Sequence, residues 1–343
     1  MIESINHELT LRENYLAGEM VDTIYWGGGT PSILNVSQIA QMLKKIRNLF
    51  KVNELVEITL EANPDNLTLE KCIELHQAGI NRLSIGIQSF HNDDLQFMNR
   101  SHNAEQAIAS VSNAQLAGFK NISIDLIYGL PNQDPKQWHK NLEIAFGLGV
   151  DHLSCYALTV EAGTSLAEMI RKKKIPEIED EKTLQDFETL MDSAAKEGFE
   201  HYEISNFARN KKYSTHNTSY WQGKKYLGVG PSAHSYDGIS RQWNISNNQL
   251  YIRALKENSI PFEREVLTDK NKFNEYILTS LRTMWGIDTT LVLEKFGEVV
   301  HTMVVSQLND FVNEGLISME SGKFILTRQG RFLADRIASD LFQ

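Results

Sequence analysis

The sequence predicts an α/β fold: a full or partial (β/α) barrel followed by a small C-terminal helical domain that is winged-helix-like. Short apolar segments alternate with helical patterns about once per 30 residues, the spacing of βαβ units. Polar residues follow several of these segments, at the end where such a barrel carries its site. After about residue 270 the pattern becomes helix, helix, hairpin, helix.

Six segments are predicted as buried parallel strands because each is short and mostly β-branched or aromatic. They are residues 22–26, 56–61, 82–88, 122–128, 152–157 and 200–204. Helical patterns lie between them, at residues 37–50, 68–78, 104–117, 135–148 and 181–197. Glycines such as Gly79 and Gly118 follow two of these helices, which suits a left-handed C-cap.

These patterns predict three domains. Residues 1–205 form a barrel that lacks its first strand, because a helix-like stretch stands where a strand normally begins the sheet. Residues 206–265 form a loop-rich region over the barrel mouth, and residues 266–343 form the helical domain. A sheet edge without its outer strand exposes backbone groups, so we expect a homodimer or aggregation.

Composition and charge exclude several classes of protein. The net charge of −10 argues against nucleic-acid binding as the main role. No apolar run is long enough for stable membrane insertion and no basic segment opens the chain, so we expect a cytoplasmic protein. The two cysteines, Cys72 and Cys155, have no paired spacing, which argues against a disulfide framework.

The sharpest local motif is YWGGGTPS at residues 25–32. A strand leads into three glycines, and a backbone without Cβ atoms lets N–H groups approach a ligand closely. The motif has neither the Lys-Ser/Thr pair of a phosphate-binding loop nor the GxGxxG spacing of a dinucleotide site. A tight turn is the alternative, but the order Gly-Gly-Gly-Thr-Pro favours a ligand loop.

Further polar residues lie at or after the ends of successive strands. Glu61 and Gln88 end two strands, Asp125 lies inside an apolar strand, and Arg100 follows in a loop. A carboxylate can accept from ribose hydroxyls or an amine, and an arginine can clamp a carboxylate. Each residue alone could be structural, but together they predict one pocket.

A second group is His-Asn-Thr-Ser-Tyr-Trp at residues 216–221. His216 and Tyr220 are four residues apart and share a face if this segment is helical. A histidine beside aromatic rings can bind a flat porphyrin or its iron. The alternative is a core helix with one satisfied histidine. His234 is either a second ligand or a turn residue.

Together these motifs resemble the oxygen-independent coproporphyrinogen III oxidase group of radical S-adenosylmethionine (SAM) proteins. The resemblance covers nearly the whole chain. The segments that carry it are YWGGGTPS (25–32), LEANP (60–64), SIGIQSF (84–90), DLIYGLP (125–131), YEISNFA (202–208) and the stretch 216–234. The element at 216–221 is most similar to the haem chaperone branch of that family.

The resemblance implies a partial (β/α) barrel of the radical SAM type, with SAM held by the glycine motif and the strand-end residues. The residues that would contact SAM are Gly28, Gly29, Thr30, Glu61, Gln88, Arg100, Asp125 and Ala157. His216, Tyr220 and Trp221 would belong to a haem-binding element. The partners implied are haem or porphyrin and a haem-acceptor protein.

One feature departs from the family pattern. In the family, a Cys-x-x-x-Cys-x-x-Cys loop holds a [4Fe–4S] cluster, and this sequence has no such triad. Two thiolates are too few, because a cluster takes about three or four. We therefore expect no metal site in this chain and a cluster only in a longer natural protein. In-frame cysteine codons upstream of Met1 would test this expectation.

Three functional hypotheses follow. The first is a haem chaperone with a SAM site, favoured by the His216 element. The second is a coproporphyrinogen III oxidase (dehydrogenase) of porphyrin biosynthesis, an oxidoreductase that acts through a 5′-deoxyadenosyl radical. The third is a non-catalytic scaffold. Whether the chain is an enzyme stays open at this point.

Overall fold

The structure, a computed structural model, describes residues 1–131 and 133–343. Its fold is mixed α/β, with a curled sheet whose strands alternate along the sequence with helices and a largely helical C-terminal region. The predicted fold class, a partial (β/α) barrel with a small helical domain, is confirmed.

Seven strands of the described chain form the curled sheet, in the order β1-β2-β3-β4-β5-β7-β6. Their bounds are β1 Val21–Trp26, β2 Val52–Ala62, β3 Arg82–Gln88, β4 Ile122–Tyr128, β5 His152–Ala157, β6 Glu200–Glu203 and β7 Asn206–Ala208. Strands β2 to β5 pair in parallel, and β7 pairs antiparallel with β5 and β6. The sequence pattern did not reveal β7, because three residues are too few for a period.

Helices alternate with these strands near the predicted positions. Their bounds are α1 Ile2–Leu11, α2 Val36–Leu49, α3 Leu69–Gln77, α4 Asn92–Phe97, α5 Ala104–Leu116, α6 Pro135–Gly147, α7 Ser165–Arg171 and α8 Asp180–Lys196. Asn103 and Asp134 cap α5 and α6 in reciprocal pairs with Gln106 and Gln137, which fixes where each helix begins. In the described part of the chain no helix has the length and apolar character needed to cross a bilayer.

The chain divides into two units. One contains residues 24–36 and 57–213, and the other contains residues 1–23, 37–56 and 214–343. The domain boundaries predicted at residues 205 and 265 stay a prediction.

In the first unit, β3 is buried at every position, so both of its faces are covered. Leu83, Ile85 and Ile87 alternate with Arg82, Ser84, Gly86 and Gln88, because successive side chains of a strand point to opposite faces. The strand register places Thr59 and Glu61 of β2 beside Arg82 and Ser84, and Ser123 of β4 beside Ser84. One face of the sheet is therefore apolar and the other, here called the inner face, is polar.

The second unit has short elements in the region predicted as loops, followed by the C-terminal helices. Their bounds are α9 Thr215–Trp221, β8 His234–Tyr236, β9 Ser240–Asn244, α10 Asn248–Lys256, β10 Phe262–Val266, α11 Asp269–Leu281, β11 Ile287–Asp288, α12 Thr289–Asn313, β12 Ile317–Glu320, β13 Lys323–Leu326, α13 Arg328–Phe332 and α14 Ala334–Asp340. Strands pair in the orders β10-β9-β8 and β11-β13-β12. The predicted hairpin is β12–β13, and α12 breaks at Gly297, where φ is +84°.

A buried carboxylate ties α1 to the rest of this second unit. Glu8 is fully buried and accepts hydrogen bonds from Arg12 Nε at 2.8 Å, Asn244 Nδ2 at 2.8 Å, the Gly230 N–H at 2.8 Å and Tyr251 OH at 2.5 Å. Arg12 Nη2 also donates to Asn244 Oδ1 at 3.0 Å. Both oxygens of the carboxylate are satisfied, as a buried charge requires.

Candidate functional site

The glycine motif forms an open cradle directly after β1. A Cβ on Gly27 would lie 2.7 Å from both Glu61 Oε1 and Tyr25 Cε1, so a larger residue here would displace these side chains. Gly28 has φ +82°, and a Cβ on Gly28 or Gly29 would meet nothing within 4 Å. The first glycine thus packs closely against neighbouring side chains, whereas the next two border open space that a ligand can fill.

Thr30 and Ser32 anchor the far side of this cradle. Thr30 begins a 3₁₀ turn, Pro31–Ile33, and its carbonyl accepts from the Ile33 N–H at 3.1 Å. Ser32 Oγ donates to Asn66 Oδ1 at 2.9 Å, which joins the loop after β1 to the loop after β2. The cradle is therefore held by hydrogen bonds as well as by its own backbone.

Glu61 lies beside the cradle near the end of β2. Tyr25 OH donates to Glu61 Oε1 at 2.7 Å, and burial together with the negative charge of Glu61 raises the pKa of Tyr25 far above its ordinary value. Tyr25 therefore stays protonated and fixes the orientation of the carboxylate.

Gln88 and Arg100 come together over Gly86. A Cβ on Gly86 would lie 3.0 Å from Gln88 Nε2 and 3.5 Å from Arg100 Nη2. Gln88 has a left-handed backbone, φ +68°, and the β3–β4 register shifts between Ile85 and Gln88. Such irregularities at a strand end redirect a side chain and are frequent beside functional sites.

Arg100 has a buried N–H donor, at Nε, that makes no hydrogen bond within the described chain. Its Nε is buried and finds no hydrogen-bond acceptor among residues 1–131 and 133–343. Burial lowers the pKa of Arg100, opposed by attraction to Asp125 and Asp65. A buried donor without a protein partner indicates a ligand or water at that place.

Asp125 is a half-buried acid on the inner face of β4. Ser84 Oγ donates to Asp125 Oδ1 at 3.2 Å. Burial raises the pKa of Asp125 to about 6, against the opposing effects of Ser154, Arg82 and Ser84, and Glu61 raises it further. A carboxyl group whose pKa is displaced in this way by burial inside a cleft is typical of functional sites.

Ala157 is the last residue of β5 and pairs with Tyr128 in the register of the sheet. The preceding Tyr156 is 44% exposed, and its pKa is raised by burial and by the charge of Asp125. Ala157 thus lies at the same end of the strands as the other predicted residues. The structure brings Glu61, Gln88, Arg100 and Asp125 together beside the glycine cradle, and we call this group the strand-end site.

A hydrogen-bonded chain that the sequence reasoning missed continues from Asp125 into the inner face. Ser123 Oγ lies 3.2 Å from Ser154 Oγ and 2.7 Å from His152 Nδ1, and His152 Nε2 lies 2.7 Å from Tyr202 OH. Burial lowers the pKa of His152 well below its ordinary value, so the ring is neutral. The alternation of polar residues along β3, β4 and β5 was the available signal.

In the second unit, His216 lies on α9 with its ring oriented by a neighbour. Thr23 Oγ1 and His216 Nδ1 are 2.9 Å apart. The rings of His216 and Tyr220 meet edge to face at 4.9 Å, as their spacing of one helical turn predicts, and Tyr220 meets Tyr226 at 4.7 Å. Tyr220 is 41% exposed, so this aromatic group opens to the surface of its unit.

Trp221 and His234 complete the predicted residues. The Trp221 ring lies under the Arg282 guanidinium at 5.9 Å, and the indole Nε1 is buried without a hydrogen-bond partner in the described chain. His234 is exposed and stacks on Trp243 at 6.0 Å. Thr23, Tyr226 and Arg282 are neighbours that sequence reasoning missed, because they come from distant segments.

The described residues do not fit an iron–sulfur cluster. Cys72 lies on α3 and Cys155 on β5, both buried, and burial raises the pKa of both thiols, that of Cys72 to about 11. Thiolates rather than thiols bind iron. Across residues 1–131 and 133–343 no three histidine, cysteine or acidic residues are grouped as metal ligands.

Comparison with known proteins defines the class. The profile of the Radical SAM superfamily matches residues 7–145, and that of the HemN C-terminal domain matches residues 267–333. Among solved structures, coproporphyrinogen III oxidase (HemN) from Escherichia coli, a radical SAM enzyme, superposes with a TM-score of 0.85. That match covers 99% of this chain and 82% of the other at 24% identity, so it shows the shared fold. The fold is that of a radical SAM protein.

Within that class the sequence comparison is more specific. The chain is 34% identical to the heme chaperone HemW of Bacillus subtilis, over 92% of this chain and 84% of that protein. It is 35% identical to the heme chaperone HemW of Haemophilus influenzae, over 98% of this chain and 87% of that protein. The chain therefore belongs to the HemW family of radical SAM proteins, as its motifs predicted.

Proposed function

We propose that this protein is a haem chaperone that binds haem at the His216 element and SAM at the strand-end site. The observation that carries the proposal is the imidazole of His216, held at Nδ1 by Thr23 beside the exposed ring of Tyr220. The relatives named heme chaperone support it, since they match this chain over most of its length.

Haem in this proposal is cargo. In this proposal His216 ligates the haem iron, and the contact of its Nδ1 with Thr23 orients the ring. Tyr220 and Trp221 supply apolar ring surface for the porphyrin. A haem-acceptor protein would then take the cargo from this exposed position.

The strand-end site fits SAM on the geometry of its own residues. The cradle at Gly28 and Gly29 is open, and Arg100 offers a buried donor without a protein partner. Arg100 would bind the carboxylate of SAM, and Glu61 and Asp125 would accept from its hydroxyl and ammonium groups. In this class of proteins, bound SAM would supply a 5′-deoxyadenosyl radical once a [4Fe–4S] cluster donates an electron, and the described residues do not fit that cluster. The residues present here contribute binding and orientation.

Haem titration tests the proposal. We expect the purified chain to bind haem stoichiometrically with a shifted Soret band that His216→Ala loses. Thr23→Val should weaken haem affinity by about 10-fold or more, because it removes the group that orients the ligand. His139→Ala, at an exposed position on α6, is the matched control and should leave the spectrum unchanged.

An unchanged Soret band in His216→Ala would contradict haem ligation by this residue. Decarboxylation of coproporphyrinogen III by an N-terminally extended, cluster-reconstituted form would favour the oxidase instead. Absence of both haem and SAM binding in that form would favour a scaffold.

A further inference from the structure

Arg82 is a buried charge on the inner face that the proposed function does not use. It begins β3, is 2% exposed, and its Nε makes no hydrogen bond within residues 1–131 and 133–343. Thr59, its partner in the sheet register, also has a buried hydroxyl without a hydrogen-bond partner in that described chain. A buried guanidinium is costly unless its charge is compensated, so its position needs a physical reason.

The charge of Arg82 acts on groups from three other strands. It lowers the pKa of Tyr25 on β1, of Asp125 on β4 and of His152 on β5. Arg82 and Ser84 are two residues apart on one strand, and Ser84 donates to Asp125. Arg82 therefore lies beneath the acid of the strand-end site, on the same face of the sheet.

Asp125 needs such a charge, because its other surroundings oppose ionisation. Burial is the largest effect on this carboxyl and favours its neutral form, and Glu61 acts in the same direction. The titratable, charged and hydroxyl groups that act on Asp125 are Tyr25, Glu61, Arg82, Ser84, Arg100, Ser154, Cys155 and Tyr156. Arg100 also attracts Asp125 but is the residue placed to bind the ligand carboxylate.

We propose that Arg82 is a positioning residue of the SAM site, whose buried charge keeps the Asp125 carboxylate ionised so that it can accept hydrogen bonds from the ligand. The proposal rests on the proposed function for its ligand, and on strand register and burial for its mechanism. It extends the site beyond the residues that would touch SAM.

The first test needs no ligand. The carboxyl of Asp125 is followed by ¹³C NMR from pH 4 to 9 and assigned by its loss in Asp125→Asn. We expect a wild-type midpoint near 6, and a midpoint raised by about one unit or more in Arg82→Met. Arg82→Gln is the second neutral variant if the methionine variant fails to fold, and Arg82→Lys should restore the midpoint because it keeps the charge.

The second test uses SAM itself, titrated calorimetrically into the full chain across the same pH range. Wild-type affinity should rise with pH as Asp125 ionises. At pH 5 the neutral Arg82 variants should bind about 10-fold more weakly, at pH 7 only about 2-fold, and this penalty should vanish in the Asp125→Asn background.

The outcomes separate the two proposals. An unchanged NMR midpoint in the neutral Arg82 variants overturns the positioning role, even if SAM affinity falls. A raised midpoint in a chain that binds no SAM at any pH supports the electrostatic coupling and overturns the SAM site.

Discussion

Two clusters of buried charge in this chain differ in how completely their polar atoms are satisfied. In the second unit, Glu8 accepts four hydrogen bonds, and its partner Arg12 is also bonded to Asn244. In the first unit, Arg82 and Arg100 each keep a buried Nε without a partner in the described chain. Both clusters remove charge from water, but within the described chain the Glu8 cluster leaves none of its buried side-chain donors and acceptors without a partner.

The difference separates stability from binding. A saturated cluster holds its elements together, and removing one member leaves the others buried and unpaired. An unsaturated cluster costs free energy in the unliganded chain and recovers it when a ligand supplies the missing partners. Under the proposed function, the difference in saturation distinguishes a structural cluster at Glu8 from a ligand site at the strand ends, and substitutions in the two clusters should have opposite effects on stability.

The largest effect is expected at Glu8. Glu8→Ala should lower the free energy of unfolding by about 3–5 kcal/mol, because it leaves the guanidinium of Arg12 buried without its carboxylate. Urea unfolding at pH 7 measures this loss. Glu3→Ala, at an exposed position on the same helix, is the control and should change stability by about 0.5 kcal/mol or less. A loss at Glu8 no larger than that of the control would break the comparison.

Asp125→Asn should raise the free energy of unfolding rather than lower it. The folded-state pKa of Asp125, about 6, lies above its ordinary value of 3.8, so the folded state holds the proton more tightly. Ionisation therefore reduces wild-type stability progressively from about pH 4 to pH 6, by about 3 kcal/mol in all, and the reduction persists at higher pH. Because Asp125→Asn has no carboxyl group to ionise at this position, its stability is not reduced in this way.

Urea unfolding of wild type and Asp125→Asn at pH 4, 6 and 8 measures the difference. The variant should gain stability relative to wild type as pH rises, while its SAM affinity falls. Asp93→Asn, at an exposed position on α4, controls for removal of a carboxylate. A relative gain that shrinks with rising pH would show that Asp125 is as well satisfied as Glu8.

The smallest effect on stability is expected at Gly29. Gly29→Ala should change the free energy of unfolding by about 0.5 kcal/mol or less, because the new Cβ meets no protein atom within 4 Å. It should nevertheless weaken SAM binding by about 10-fold, because the methyl group enters the cradle. Gly147→Ala, also open at its Cβ but at the end of α6, is the control for calorimetric titration. Equal SAM affinity in both variants would remove Gly29 from the site.

Much of the first unit could be predicted from the sequence because its strands are long enough to show a pattern. The strand predicted at 82–88 has those bounds in the structure, and Glu61 and Gln88 lie near or at strand ends. The carboxyl ends of parallel strands lie at the same edge of a sheet, so the predicted topology already placed these side chains near one another. In the second unit, β8 has only three residues, as β7 does in the first unit. A strand this short shows no alternation by which the sequence could reveal it.

The partners of the site residues could not be predicted in the same way. Tyr25 meets Glu61, and Thr23 meets His216, across long separations in sequence. The roles of Arg82 and Ser84 depend on the register of β3 against β2 and β4, which the alternation along β3 alone does not fix. Tertiary packing determines which of these side chains meet, so a pattern along the sequence does not reveal the pairs.

The left-handed backbone of Gln88 limits which amino acids can replace it. A β-branched residue such as threonine or valine would strain the chain at this φ, whatever its side chain offered to a ligand. Asparagine tolerates the conformation and keeps an amide, but it is one methylene shorter. The amino acid at position 88 is thus restricted both by the hydrogen-bonding group of its side chain and by its backbone conformation. Under the proposed function, a change of ligand preference is less constrained by the backbone at Arg100, whose φ is not left-handed, than at Gln88.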